Sequence, residues 1–339
     1  MSSLLFSPNH YPSSLKYLGW LVVSLMVIPL VFGSTPEQSP SERMELSPSS
    51  LLLDISIIKD EIIVVGERGH ILKSKDGGES WRQVTTPTRT TLTNVFFADD
   101  KHGWASGHSG VILSTTDGGD SWTHLIEPDP EASYFDAYFF DEWKGFFVGS
   151  YGQYSKTMEA GTSLEDEYIN DLDPHFYSIK ESPNGDLFIA GEMGQILRST
   201  NQGRSWKTLK FPYEGSLFDL LCISEDTLLT FGLRGHIFRS NNNGNRWEEI
   251  KHGEPEMLTT GIVLSSGNIL LASMADKVLM SNNEGMTFYP IPVQGIDGTV
   301  AVQEDPNSQK IYFCGNHGFL AVDLQTLEAS LNQAASGNE

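Results

Sequence analysis

Acidic residues in a recurring eight-residue box are the side chains with the clearest capacity for chemistry. The pattern Ser/Thr-x-Asp-x-Gly-x-Ser/Thr-Trp occurs at residues 74–81 and 115–122, and asparagine replaces the aspartate in two later copies. A carboxylate in such a box could act as a general acid. However, four or five copies along one chain cannot all converge on a single catalytic centre. A structural role is therefore favoured, in which Asp or Asn accepts N–H bonds within its own turn and Trp packs between sheets. The residues assigned this role are Asp76, Trp81, Asp117, Trp122, Asn201, Trp206, Asn242 and Trp247.

Two arginines lie in a second recurring motif, a Gly-x-x-Gly turn, as Arg68 and Arg234. Two arginines that flank one site could clamp a carboxylate or an acidic segment, and the alternative for each is a solvated turn residue. Histidines begin or flank the strands after these turns, where a structural histidine is favoured over a metal ligand. The residues predicted to contact a partner are Arg68, Arg234, His70, His236, Tyr151 and His317.

The elements that position these residues repeat with almost no drift. The first glycine of the turn recurs at steps of 41, 42, 42, 41, 41 and 42 residues, at Gly66, Gly107, Gly149, Gly191, Gly232, Ser273 (in place of glycine) and Gly315. A period of about 40 to 50 residues with strand-like content is typical of β-propeller blades. The sequence therefore predicts an all-β, seven-bladed propeller of four-stranded antiparallel blades. In this topology the boxes lie on one face and the Gly-x-x-Gly turns lie on the other, beside the central channel.

Composition limits the partners. The net charge is −22, from 44 acidic and 22 basic residues, and this argues against a nucleic-acid binder, which needs a basic surface. The two cysteines, Cys222 and Cys314, fall in strands of different blades, and we expect unpaired, buried thiols. No phosphate-binding loop, cysteine metal pair or Ser-His-Asp arrangement can be singled out, so no cofactor and no metal are expected.

The two ends of the chain have a different composition from the repeats. Residues 1–33 include an apolar run at 18–32, which indicates a signal peptide or an N-terminal membrane anchor. Residues 34–50 are rich in Pro, Ser and Glu, and we expect a flexible linker. The propeller is expected at 51–331 and a disordered tail at 332–339. The fourth strand of blade seven would come either from 326–331 or from the N-terminal linker.

With these motifs the chain resembles the photosystem II stability and assembly factor family of chloroplasts and cyanobacteria. The matching elements are the Arg-bearing turns, the Gly-Trp-Ala-x-Gly strand at 103–107 and the Asp-Gly-Gly-x-Ser-Trp boxes. The resemblance covers residues 51–324 and implies a seven-bladed propeller, exported to the thylakoid lumen, that assists assembly of a membrane complex without catalysis. It also implies a binding patch of arginines on the channel face. Arg68 and Arg234 match that patch, whereas the equivalent turn positions hold Ser109, Tyr151, Met193, Ala275 and His317.

The leading functional hypothesis is thus a non-enzymatic, exported and monomeric propeller that acts as chaperone or scaffold for a membrane-protein subunit or complex. We expect it in the periplasm or in a lumen, with membrane anchoring by the N-terminal segment as the alternative to cleavage. The competing hypothesis is a sialidase-type glycoside hydrolase or a carbohydrate-binding propeller. A sialidase needs three arginines that converge on one carboxylate, plus a catalytic tyrosine. Most other arginines lie beside boxes or on third strands, which point away from the channel face.

Overall fold

The computed structural model describes residues 39–160, 162–169 and 172–337. The predicted signal peptide or anchor lies outside the described residues. No helix in the described part of the chain is both long and apolar enough to span a membrane.

Seven antiparallel sheets follow one another along the chain, and each repeat forms one sheet. Blades one to three contain β1 (Leu52–Ile58), β2 (Glu61–Gly66), β3 (Ile71–Ser74), β4 (Arg82–Val84), β5 (Leu92–Phe97), β6 (Gly103–Gly107), β7 (Ile112–Thr115), β8 (Thr123–His124), β9 (Tyr134–Phe139), β10 (Gly145–Gly149), β11 (Tyr154–Thr157) and β12 (Glu165–Asp166). Blades four to seven contain β13 (Phe176–Glu181), β14 (Leu187–Gly191), β15 (Ile196–Ser199), β16 (Lys207–Thr208), β17 (Leu217–Cys222), β18 (Leu228–Gly232), β19 (Ile237–Ser240), β20 (Glu248–Ile250), β21 (Leu258–Val263), β22 (Ile269–Ser273), β23 (Lys277–Ser281), β24 (Tyr289–Pro292), β25 (Thr299–Asp305), β26 (Lys310–Gly315) and β27 (Gly318–Asp323). The predicted seven-bladed propeller is confirmed.

The blades are held together by seven hydrophobic clusters, one between each pair of neighbours. The second strands supply much of this core: β6, β10, β14, β18 and β22 are buried at every residue. Continuous apolar runs of this kind are expected for strands covered on both faces. Between blades two and three, the rings of Trp104 and Phe139 stack with their centroids 3.5 Å apart. Each blade therefore depends chiefly on its two neighbours.

The innermost strand of every blade begins with a β-bulge. In blade one, Leu52 pairs with Gly66 and Asp54 pairs with Val65, so that Leu53 is left without a partner in the ladder. The same shift occurs in the other six blades. A bulge inserts one extra residue and redirects nearby side chains. Here it recurs where the strands line the central channel.

Blade seven departs from the predicted four strands. Its sheet has three strands in the described chain, and Leu324–Ser336 is an α-helix, α1. Residues 326–331 were one of the two candidates for a closing strand, and 332–339 were expected to be a disordered tail. Asp323 caps the helix by accepting a hydrogen bond from the Thr326 backbone N–H, and Leu324, Leu327 and Leu331 are buried. Apolar residues at this spacing form one face of a helix, whereas a strand would alternate them between two faces. The helix packs on β24 and β27 beside the seventh sheet.

The described part of the predicted linker, residues 39–50, runs along the outer strand of blade one. The Ser41 N–H donates to Thr86 O at 3.0 Å, and the Met44 N–H donates to Gln83 Oε1 at 2.9 Å. A 3-10 turn at Ser47–Ser49 then reaches blade seven, where a Cβ on Gly318 would lie 2.1 Å from Pro48 O. This segment pairs with no strand of blade seven in the described residues. Instead, it connects the outer edge of blade one with the last blade, and blade one closes the ring by packing on β25 and β26.

Candidate binding face and central channel

Five 3-10 turns after the second strands of blades one to five lie on one face of the propeller, which we name the turn face. They are Glu67–Gly69, His108–Gly110, Ser150–Gly152, Glu192–Gly194 and Leu233–Gly235. The middle residue of each turn has a φ between 51° and 58°, although none of these residues is glycine. The flanking glycines explain why the turn is so uniform. A Cβ on Gly66 would lie 2.2 Å from Leu51 O, and a Cβ on Gly69 would lie 2.2 Å from Thr88 O. The turn is therefore packed directly on backbone.

The middle residues of these turns project their side chains outward. Tyr151 is 67% exposed and Met193 is 51% exposed, which is unusual for large apolar side chains. Arg234 is exposed and forms no ion pair among the described residues, whereas the Arg68 guanidinium lies 3.9 Å from the Glu67 carboxylate and contacts the sulfur of Met44. Left-handed backbone costs a non-glycine residue about 1 kcal/mol or more. The propeller thus holds four large side chains clear of its surface at some energetic cost.

The predicted histidines do not come together. His70 is 1% exposed and hydrogen bonds to Ser50 Oγ, and burial lowers its pKa. His70 presents almost no surface to a partner in this conformation, and this does not favour the contact predicted for it. His236 Nδ1 lies 2.6 Å from Glu249 Oε1 and is partly covered. His317 is exposed beside Asp297, at 3.0 Å. The partner contacts predicted for His236, His317, Tyr151 and the two arginines stay predictions.

An aromatic cluster that sequence reasoning missed lies at the mouth of the channel on this face. The rings of Phe135, Tyr177 and Phe218 follow one another across blades three, four and five, with centroid distances of 5.7 and 5.1 Å. We name these three residues the aromatic crescent. His175 stacks on Phe135 at 6.0 Å and contacts Tyr151 at 4.8 Å, so the crescent is continuous with the exposed turn. All three rings occupy the bulge position, and an alignment of the repeats on their first strands would have brought them together.

The opposite face carries the predicted Asp-boxes, whose polar side chains bond within their own turns. Asp76 accepts hydrogen bonds from the backbone N–H and the hydroxyl of Ser80, which lower its pKa to about 2. Asp117 is bonded in the same way to Ser121. Burial, the largest single influence, raises its pKa, but the hydrogen bonds from Ser121, Thr115 and Asp120 together lower it to about 2. Such carboxylates stay ionised and do not suit a general acid. Among the aromatic residues of the boxes, the indole N–H groups of Trp81 and Trp122 donate to glycine carbonyls.

The equivalent polar residues of the other boxes adopt this geometry too. Asn201 and Asn242 each accept a backbone N–H four residues on, at 3.0 and 2.8 Å. Asn283 of blade six does the same at 2.9 Å, beside the Phe288 that stands in place of tryptophan. On this face Asp99, His102 and Glu142 also place ligand-type atoms within 4.8 Å of one another, and Asp99 pairs directly with His102 at 2.7 Å.

Inside the channel, one position of each innermost strand forms a belt, which we name the polar ring. Its members, in blade order, are Asp54, Asn94, Asp136, Ser178, Asp219, Thr260 and Ala301. The carboxylates bridge blades: Asp54 accepts from the Val95 N–H at 2.7 Å, and Asp136 accepts from the Ile179 N–H at 2.9 Å. Each therefore links its own blade to the next. Sequence reasoning missed this ring because it aligned the repeats on the turn glycines.

One lysine enters the ring. Lys180 Nζ donates to Asp136 Oδ2 at 2.9 Å and lies 3.9 Å from Asp219 Oδ1. Although burial opposes it, the attraction of these carboxylates holds the pKa of Lys180 above its usual range. Burial raises the pKa of Asp219 and brings that of Asp54 to about 7, and the Asp136 charge adds to both shifts. Two of these three carboxylates, Asp136 and Asp219, thus pair with one ammonium group.

Comparison with known proteins supports the resemblance expected from the motifs. Residues 34–130 match the family model described as photosynthesis system II assembly factor YCF48. A search of curated protein sequences found no match. The predicted resemblance to the photosystem II assembly factor family is confirmed by this match and by the solved structures that follow.

Solved structures share the fold at low sequence identity. A YCF48 protein bound to D1 peptide has a TM-score of 0.67 and 19% identity, over 80% of this chain and 93% of that chain. YCF48 from Cyanidioschyzon merolae has a TM-score of 0.66 and 19% identity, over 80% and 95%. Virginiamycin B lyase from Staphylococcus aureus has a TM-score of 0.71 and 13% identity, over 84% and 98%. The same propeller architecture therefore occurs in an assembly factor and in an enzyme, so the fold alone does not decide the function.

Proposed function

We propose that this protein is an exported, non-enzymatic assembly factor that docks an extramembrane segment of a membrane-protein subunit on its turn face. The observation that carries the proposal is the apolar surface formed by Tyr151 and Met193 together with the aromatic crescent. One YCF48 structure contains a D1 peptide, and the chain matches the family model over 34–130. A segment of a larger membrane protein is accordingly the partner class we assign.

The geometry of the turn face suits such a role. Exposed aromatic and apolar side chains that cluster around a concavity supply most of the free energy in protein–peptide contacts. Tyr151 contacts His175, and His175 contacts the crescent, so the surface extends from the outer turn to the channel mouth. Arg234 flanks this surface on blade five and is free to pair with an acidic group of the partner. The Arg68 and Arg234 clamp expected from the sequence forms part of this proposal.

The glycosidase alternative receives no support from a specific observation. The box carboxylates of Asp76 and Asp117 are held in hydrogen bonds on the opposite face. Aromatic surfaces also stack on sugars, so carbohydrate binding needs its own control in the experiment.

The test is a capture experiment from membranes with a Tyr151→Ser/Met193→Ser double variant. Serine holds the equivalent position in blade two with the same backbone conformation, so the turns should still form. The matched control is Trp143→Ser, because Trp143 is 58% exposed on the opposite face. An Arg68→Glu/Arg234→Glu variant tests the clamp separately.

We expect the wild type and the Trp143 variant to recover one membrane protein that the double variant does not. Synthetic peptides for its extramembrane segments are then titrated against the same proteins, with a glycan array as the carbohydrate arm. Equal recovery by all variants would refute the turn face as the site. Glycan binding without peptide binding would favour the carbohydrate alternative.

A further inference from the structure

Among the described residues that line the central channel, the carboxylates of Asp54, Asp136 and Asp219 face one lysine, Lys180. Lys180 pairs with Asp136 and Asp219, which are only 8% and 7% exposed. Asp54 is more exposed than either and lies in the wall of the same cavity. Its carboxylate accepts hydrogen bonds from the backbone N–H groups of Ile55 and Val95, at 2.9 and 2.7 Å, and no cation lies within 4.0 Å of it in the described chain. One carboxylate thus faces the channel without a counter-ion.

The neighbouring asparagine has an acceptor without a donor. Asn94 is 7% exposed, and its amide nitrogen donates to both Asp54 and Asp136 at 3.0 Å. Its amide oxygen Oδ1 has no hydrogen-bond partner in the part of the chain that the structure describes. Buried acceptors without donors are uncommon in folded proteins. Because this oxygen is covered, a positively charged ligand in the channel would instead meet the partly exposed carboxylate of Asp54.

The aromatic crescent supplies the second half of a cation site. Phe135, Tyr177 and Phe218 line the same cavity as Asp54, on the wall formed by blades three to five, whereas Asp54 belongs to blade one. The faces of aromatic rings attract cations, most strongly where water is partly excluded. The cavity encloses about 520 Å³, within the range of pockets that bind small groups. A positively charged side chain entering the mouth would meet aromatic side chains on one side and a carboxylate on the other.

We infer that the channel mouth binds the ammonium or guanidinium group of a lysine or arginine side chain, which the docked partner segment presents between the aromatic crescent and Asp54. This inference rests on the proposed docking function, and it adds the chemistry of the residue that enters the channel. The net charge of −22 favours the approach of a basic segment over a distance as well.

The experiment uses the propeller and two fluorescein-labelled peptides, Gly-Phe-Leu-Lys-Phe-Gly and its counterpart with norleucine in place of lysine. The peptides differ only in the ammonium group. Fluorescence anisotropy at low ionic strength and pH 8, where Asp54 is ionised, should show about tenfold tighter binding of the lysine peptide. The Asp54→Asn variant should bind both peptides about equally. Asp129→Asn removes the same charge from an exposed position on the turn face and should keep the tenfold preference.

A second variant tests the site independently, in case the Asp54 variant does not fold. Tyr177→Leu removes one ring from the partly exposed crescent, and it should also reduce the preference for the lysine peptide. Equal binding of the two peptides by the wild type, or an unchanged preference in both channel variants, would overturn the inference. If the wild type prefers lysine yet captures no membrane protein, the docking function fails and the cation site stands. Capture of a partner with no lysine preference would overturn the cation site alone.

Discussion

Lys180→Met should destabilise the propeller more than any loss of a surface ion pair, because it leaves two covered carboxylates without a counter-ion. The side chains of Asp136 and Asp219 are 11% and 10% exposed, and Lys180 reaches them at 2.9 and 3.9 Å. Removing one partner of a fully buried pair costs about 3–5 kcal/mol. Since 38% of the Lys180 side chain is open to the channel, solvent screening reduces the expected cost to about 2–3 kcal/mol.

The pH dependence of this loss has a definite sign. Burial raises the pKa of Asp219 in the folded protein, so ionisation of this group opposes folding, and the penalty grows as pH rises through the folded pKa. The lysine offsets that penalty, and without it the pKa of Asp219 rises further. The variant should therefore be closest to the wild type at low pH, where Asp219 takes up a proton. The difference should be largest near pH 8.

The assay is urea unfolding of both proteins at pH 5, 6.5 and 8, with Lys75→Met as the control. Lys75 pairs with Glu61 at 3.2 Å, and its side chain is 79% exposed, so its loss should change the free energy of unfolding by about 0.5 kcal/mol or less at every pH. Equal costs for the two lysines would refute the reasoning about the channel. A Lys180 effect that grows as the pH falls would refute the assigned sign.

Two further predictions concern the helix and the boxes. Leu331→Ala should lower the free energy of unfolding by about 2–4 kcal/mol, because the Leu331 side chain is fully buried against the last two blades. The control is Asn332→Ala, which changes an exposed residue of the same helix and should have little effect in the same urea assay. If the helix were dispensable, the two substitutions would behave alike. Asp117→Ala should lower the melting temperature, because its hydrogen bonds to the turn are lost, while Asp117→Asn should be tolerated, since asparagine holds this position in other blades. The pKa of Asp117 is lowered to about 2, so its advantage over asparagine should disappear as the pH falls from 4 towards 2, and an advantage that persists there would contradict this account.

The sequence was sufficient for the architecture because the turn glycines recur at 41 or 42 residues, and each repeat folds into one blade. At the end of the chain, analogy with earlier blades left two candidates for a closing strand, residues 326–331 or the N-terminal linker, and the structure has a helix at 324–336. The spacing of Leu324, Leu327 and Leu331 has the helical period, and Asp323 is a suitable cap. In this segment the spacing of the apolar residues predicts the secondary structure better than the blade repeat does.

The aromatic crescent and the polar ring were harder to predict. The crescent residues lie at the bulge of the innermost strands, and the ring residues lie one position after the bulge. Phe135, Tyr177 and Phe218 are separated along the chain by 42 and 41 residues, and they meet only because neighbouring blades place equivalent positions side by side. The burial of His70 could not be predicted either. His70 hydrogen bonds to Ser50, which belongs to the segment that was expected to be a flexible linker.

The same backbone turn carries chemically different side chains in different blades. One face of the propeller therefore presents a different chemical surface in each blade, although the fold is repetitive. Arg68, Ser109, Tyr151, Met193 and Arg234 all have φ values between 51° and 58°, so the conformation does not depend on the side chain. The glycines on either side impose this conformation, because they lie against the start of the first strand and against the loop that follows the fourth strand of the blade. The middle residue of the turn can consequently differ between blades without a change in the backbone conformation of the blade. Large apolar residues occupy blades three and four, beside the crescent, and arginines occupy blades one and five. If a partner segment docks on this face as proposed, we expect this asymmetry to favour one orientation of the segment across the mouth of the channel.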